Sequence, residues 1–338
     1  MKKQLLVLLV FLSPFAMLAQ RTANIALSGG VVNYIGDLAN EKIFPFSSAN
    51  TGAAITLRNF LNNPKKTHNQ FPSFDMQLRL SWHRLQYDET TPIGGKKGKE
   101  LRNYLRGIGF RNDVFGTEAD FTYNIYINRY APLSKPRFSI FLSGGVGVFY
   151  GKPKADLFRG SVDLANRYYV WNDGTIRDVA ENSRGLGNII EKDGVYETDL
   201  RTWMTEGQGY NKEVHSTQPY SNWNIAFPLG GGIRYSYSKL ITISAEFNYY
   251  LFMTDYLDDV SGRYATYDEL HRSFPDATQF ELAKYISDPT GQGTDGTIGP
   301  ATSPRGNPGM KDSFSYISLE FAYKFTWKGK GIYGQGSN

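Results

Sequence analysis

Four stretches of the chain alternate apolar and polar residues with a period of two, the signature of a strand with one face in each environment. In residues 74–85, Phe74, Met76, Leu78, Leu80 and Trp82 alternate with Asp75, Gln77, Arg79, Ser81 and His83. In residues 118–128, Ala119, Phe121, Tyr123, Ile125 and Ile127 oppose Glu118, Asp120, Thr122, Asn124 and Asn128. From Leu240, the residues Ile241, Ile243, Ala245, Phe247, Tyr249 and Leu251 oppose Thr242, Ser244, Glu246 and Asn248, and near the C-terminus Ile317, Leu319, Phe321, Tyr323, Phe325 and Trp327 oppose Ser318, Glu320, Ala322 and Lys324. Weaker candidates cover residues 24–35, 50–60, 137–150 and 224–237. The total is eight, an even number.

The polar faces carry Arg58, Asp75, Arg79, Glu118, Asp120, Arg234, Glu246, Glu320 and Lys324. A water-soluble barrel would turn its apolar face inward, whereas a set this charged and mixed in sign fits the inside of a narrow barrel with lipid outside. The expectation is therefore an all-β, antiparallel, up-and-down transmembrane barrel with its lumen plugged by its own side chains. Connection lengths give an independent test, because such barrels make periplasmic turns short and outer loops long. Residues 61–71, 131–136 and 238–239 are the shorter connections. Residues 36–49, 88–114, 151–223 and 252–313 are the longer ones. Within the longer ones, residues 99–106 suggest a short helix, 267–285 one or two helical turns, and the Gly/Pro/Thr/Ser-rich 290–308 a mobile segment.

The first residues change the picture by naming a compartment. Lys2 and Lys3 precede an apolar run from Leu5 to Leu12, and the stretch closes on Ala16 and Ala19. This is the pattern of a signal peptide over residues 1–19, too short to span a bilayer as a helix. The barrel is then expected over residues 20–327, followed by a polar periplasmic tail, 328–338. Removing Lys2 and Lys3 lowers the formal charge from +5 to +3. That balance, with basic residues scattered, offers no case for nucleic acid as a partner; outer-membrane lipid is the expected one. The absence of cysteine excludes a disulfide framework and thiolate metal sites. Aromatic residues at 15% and 35 glycines suit interfacial girdles and Gly-rich loops.

Candidate chemistry is sparse. Ser81 and His83 lie side by side on one polar face, the spacing a nucleophile and its base would need, but no acid or oxyanion donor accompanies them, and the plainer reading makes them members of a lumen network. His68, His215 and His271 fall in three different connections, without metal-ligand spacing. Asp255, Asp258 and Asp259 supply carboxylate oxygens of the kind that bind a divalent cation. Their plainer reading is as turn or helix caps paired with Arg263. Tyr249, Tyr250, Phe252 and Tyr256 suggest the outer membrane interface. Gly29–Gly30 and Gly230–Gly232 lack the GK[ST] of a phosphate loop. LSGGV recurs at Leu27 and Leu142, where glycine lets neighbouring groups pack closely. No catalytic, cofactor-binding or metal residue is assigned.

Three stretches carry a resemblance. GGVVNYIGDL from Gly29, LRNYLRGIGFRNDVF from Leu101 and TDYLDDVSGRY from Thr254 together resemble the PorG-like outer-membrane barrels of Bacteroidota. The connection 151–223 is longer than that family leads one to expect. The resemblance implies a non-enzymatic accessory barrel of the type IX protein secretion machinery, with periplasmic ring-forming secretion proteins as partners. Two other roles fit the same pattern: a surface binding or adhesion barrel acting through its outer loops, and a lipid-modifying barrel enzyme.

Overall fold

A computed structural model describes residues 22–38, 49–61, 74–89, 106–126, 137–173, 175–208, 219–291 and 304–326. The expected signal peptide, all but Arg106 of the helix expected at 99–106, most of the connections 36–49 and 61–71, and the expected C-terminal tail lie outside these residues. Eight long strands form the barrel: β1 (Thr22–Ile35), β2 (Ala49–Phe60), β3 (Phe74–Asp88), β4 (Gly109–Tyr126), β5 (Arg137–Tyr150), β6 (Trp223–Ser236), β7 (Ile241–Phe252) and β8 (Ser313–Thr326). Each pairs antiparallel with its neighbour in sequence. β1 then pairs with β8 from Thr22↔Thr326 to Ile35↔Ser313, which closes the ring without a free edge.

The alternation sorts as its period requires. Leu27, Leu80, Phe121, Leu142 and Leu319 stand exposed on the outside, while Arg58, Asp75, Arg79, Glu118, Arg234 and Glu320 are buried within. A closed barrel satisfies every strand amide internally, and one that is apolar outside and ionic inside has a bilayer as its solvent. The protein is an outer-membrane-type β-barrel. Glycine allows the backbones of β1 and β8 to approach closely: a Cβ on Gly30 would lie 1.9 Å from the carbonyl oxygen of Ile317.

Two expectations need correction. The connections 36–48 and 61–73 are equal in length, so chain length alone does not distinguish the first outer loop from the first periplasmic turn. The lumen is also not polar throughout. At the outer end the inward positions are Val32, Tyr34, Leu85, Phe110, Val114, Phe149, Tyr250, Phe252, Phe314 and Tyr316, which form a conventional hydrophobic core with loop residues. Roughly 9–11 tilted residues suffice for a strand to cross a bilayer. β3 has 15 residues and β4 has 18, so their outer ends project into water and must bury apolar groups inward.

The two longest loops complete that core. In the loop after β5, Lys154–Ala155 pairs with Thr198–Asp199 and joins the edge of β4 at Arg111↔Lys154; Tyr169–Val170 pairs with Ile176–Arg177. The loop after β7 carries α1 (Tyr267–Ser273) and α2 (Ala277–Ser287), more helix than expected, separated at Pro275. Thr266 and Glu269 form a capping box on α1, and Asp276 caps α2. From α2, the Tyr285 hydroxyl donates to the carbonyls of Leu157 and Tyr168, binding one loop to the other.

Candidate functional site

The lumen is an ordered ionic column. At its periplasmic end Arg58 donates to Glu320 at 2.8 and 3.0 Å and to Gln77 at 3.2 Å, with Asp75 and Glu246 each 3.7 Å away. Arg79 binds Glu246 at 2.9 Å and Thr56 at 3.2 Å, and lies 3.5 Å from Glu118. Arg234 donates to Asp75 at 3.0 Å and Asn124 at 2.7 Å, its guanidinium resting over the Phe141 ring. These residues come from strands all round the barrel, and the period-two pattern assigned the charged ones, with Gln77 and Asn124, to the inside.

Lys324 is the exception, since it is only half-buried and makes no ion pair with the described residues. Three arginines therefore face Asp75, Glu118, Asp120, Glu246 and Glu320, leaving the column with two more carboxylates than guanidinium groups.

Ser81 and His83 do share the interior face, but they form no dyad. His83 is fully buried between Tyr250, Phe314 and Tyr316, with ring centroids 5.2, 4.8 and 4.7 Å away. Neither of its ring nitrogens has a hydrogen-bond partner, and neither does Ser81 Oγ. A base that holds no nucleophile and faces no acid lacks the geometry that activation needs.

Above the column a plug of loop carboxylates and arginines seals the outer mouth. Arg305 is fully buried and donates to the Asp259 carbonyl, to Asp259 Oδ2 at 3.3 Å and to Glu206 at 3.5 Å. Glu206 also accepts from the amides of Ser261 and Gly262, and Asp259 from the hydroxyls of Thr205 and Tyr220. Arg106 pairs with Glu89 and donates to the carbonyls of Arg305 and Asp37. All four outer connections are thereby joined.

The three acidic candidates divide within this plug. Asp258 accepts the Tyr34 hydroxyl at 2.5 Å, and the same hydroxyl lies 3.2 Å from Asp312. Asp259 pairs with Arg305 rather than the expected Arg263, which binds Glu269. No group of three or more His, Asp or Glu side chains suited to a metal occurs among the described residues. Burial pushes Asp255 up to about 7, Asp259 to about 6 and Glu89 to about 7, and raises Asp258 and Asp312 well above the carboxylate range.

Tyr250 and Phe252, expected at the lipid interface, point into the core. Tyr256 stacks on Tyr220 and donates to Glu206. The segment expected to be mobile at 290–308 contains Arg305, the centre of the plug; residues 292–303 lie outside the described residues. Glu206, Arg106 and Arg305 were not singled out from sequence. Isolated charges in Gly-rich loops carry no periodic signal.

No family model and no curated protein matches the chain. Among solved structures, Neisserial surface protein A is similar at 8% identity over 90% of this chain and 98% of its own, with a TM-score of 0.34. Ail of Yersinia pestis, in complex with the heparin analogue sucrose octasulfate, aligns at 8% identity over 90% of this chain and 98% of its own, TM-score 0.31. The outer membrane enzyme PagL aligns at 9% identity over 89% and 98%, TM-score 0.29. At such scores the likenesses carry no functional inference, and they include both an enzyme and proteins of other kinds.

Proposed function

We propose that this protein is a non-enzymatic, closed outer-membrane barrel that serves as a structural or accessory component of a type IX-like protein secretion machine. The observation that supports this reading is the double closure of the barrel. Ionic side chains fill its inner half, and the joined outer loops cover its mouth. A barrel closed in this way offers surfaces rather than a passage, and the periplasmic turns are the surfaces open to secretion proteins on that side.

Photocrosslinking in intact outer membranes tests it. A crosslinker at Lys239, in the β6–β7 turn, is expected to capture a periplasmic ring-forming protein. Capture only from the outer loops would defeat the proposal. It would favour instead a surface-binding role, a reading supported by Leu186, Ile189 and Val195, which stand exposed on the loop after β5. Exposed large apolar side chains on an outer loop are available for a protein contact.

A further inference from the structure

One side of the outer wall is built differently from the rest. Across β3, β4, β5 and β6, the residues Trp82, Phe115, Tyr150 and Trp223 lie in register, partner to partner, so four adjacent strands present one continuous aromatic row. Below it, Leu27, Ile55 and Leu80 are likewise in register across β1, β2 and β3. The small residues Ala53 and Thr117 interrupt the two rows and leave an apolar groove of about 690 Å³ along the lipid-facing wall.

Directly above the aromatic row the outward positions become basic. Arg84 and Arg111 flank Asp113, with Arg84 Nε at 2.8 Å and Arg111 Nε at 3.2 Å. Trp82 Nε1 donates to the same carboxylate at 3.1 Å. Arg84 lies 5.4 Å from the Trp82 ring centroid and Arg111 lies 4.8 Å from that of Tyr196, so both guanidinium groups are held against flat partners. Neither terminal nitrogen of Arg111 has a hydrogen bond to the described residues. Lys154 stands exposed beside Arg111 in the sheet. Arg84, Arg111, Lys154 and Lys192 stand here with Asp88, Asp113, Asp156 and Asp199, four cations with four carboxylates. What the cluster offers a ligand is therefore the free terminal nitrogens of Arg111 and the exposed Lys154 rather than an excess of charge.

Apolar groove, aromatic row and then guanidinium groups follow the order that a lipid presents along the membrane normal: acyl chain, interface and phosphate. We propose that this face is a binding site for an outer-leaflet phosphorylated lipid, with an acyl chain lying in the groove and the phosphate held by Arg84 and Arg111. The planar fork of arginine suits a phosphate, and prior fixing by Asp113, Trp82 and Tyr196 lowers the entropy lost on binding.

The test uses the full-length protein in nanodiscs of phosphatidylcholine doped with monophosphoryl lipid A, with bound lipid read by native mass spectrometry. Monophosphoryl lipid A is expected to be retained over phosphatidylcholine. The Arg84→Gln/Arg111→Gln variant should lower that retention on the order of tenfold, while Lys239→Gln, at the opposite end of the barrel, leaves it unchanged. A neutralised variant that also carries Asp113→Asn removes the stranded carboxylate and should show the same loss. Equal retention of the two lipids, full retention by both arginine variants, or displacement of the lipid by inorganic phosphate alone would overturn the proposal.

Discussion

Arg79 is the side chain on which the lumen depends most directly, and Arg79→Ala is the perturbation that tests the ionic column. The wild-type guanidinium binds Glu246 at 2.9 Å, lies 3.5 Å from Glu118 and donates to Thr56. All four groups are buried. With five carboxylates already facing three arginines, the substitution leaves five facing two and strands Glu246 and Glu118 inside a wall that excludes water. Removing one partner of a buried pair costs about 3–5 kcal/mol, chiefly through the charge left behind. Urea unfolding of refolded protein in detergent, followed by the heat-modifiable gel shift, measures the loss. Arg79→Lys, which keeps the charge and loses the fork, should fall between the two. If Arg79→Ala unfolds at the wild-type midpoint, the column is not what fills and holds the barrel.

Four further outcomes follow from the same geometry. Leu319→Arg places a charge on the most exposed apolar position of β8, 68% accessible, and should cost about 2–4 kcal/mol near the midplane; unchanged folding in lipid vesicles would contradict the assigned outer face. Purified protein in planar bilayers should show no steady large conductance, and a stable ion-selective channel would contradict the sealed lumen. His83→Phe should fold normally and keep the same cellular phenotype, because the aromatic cage offers the imidazole no hydrogen bond; loss of a lipid-modifying activity in this variant would restore the catalytic alternative. The loop plug should loosen as pH rises. Asp255, Asp259 and Glu89 have folded-state values raised above the unfolded ones, to about 7, 6 and 7, so their contribution is complete below about pH 4 and is lost as pH climbs through 6–7. The protection of the amides of residues 255–262, taken as their exchange rate relative to the intrinsic rate at each pH, should therefore be lower at pH 8 than at pH 5, and greater protection at pH 8 would refute the sign.

The strands were legible because a bilayer enforces the period of two on both faces at once. Sequence placed β5 at its observed bounds and the other strands close to theirs, with one instructive failure. β4 begins at Gly109, nine residues before the alternation that revealed it. In that outer segment Phe110 and Val114 point inward while Arg111 and Asp113 point outward, so the polarity of the faces is inverted relative to Glu118 and Phe121 lower down. The strand has left the lipid and obeys the rule of a water-soluble barrel, and a reading tuned to one solvent loses it there. The same inversion sends Tyr250 and Phe252 into the core. The lumen charges were legible for the same reason as the strands. The loop plug was not, because Arg305 meets Asp259 and Glu206 only through the folding of separate loops, and nothing local in any of them announces the others.

The seam between the first and last strands has a consequence for the life of the protein. Because β8 is needed to complete β1, a chain that stops anywhere before Ser313 cannot close, and it presents two unpaired strand edges in place of none. Such an edge is a template for other strands and a target for proteases. A truncation that removes β8 thus marks itself for removal, through the open edges that the missing strand leaves.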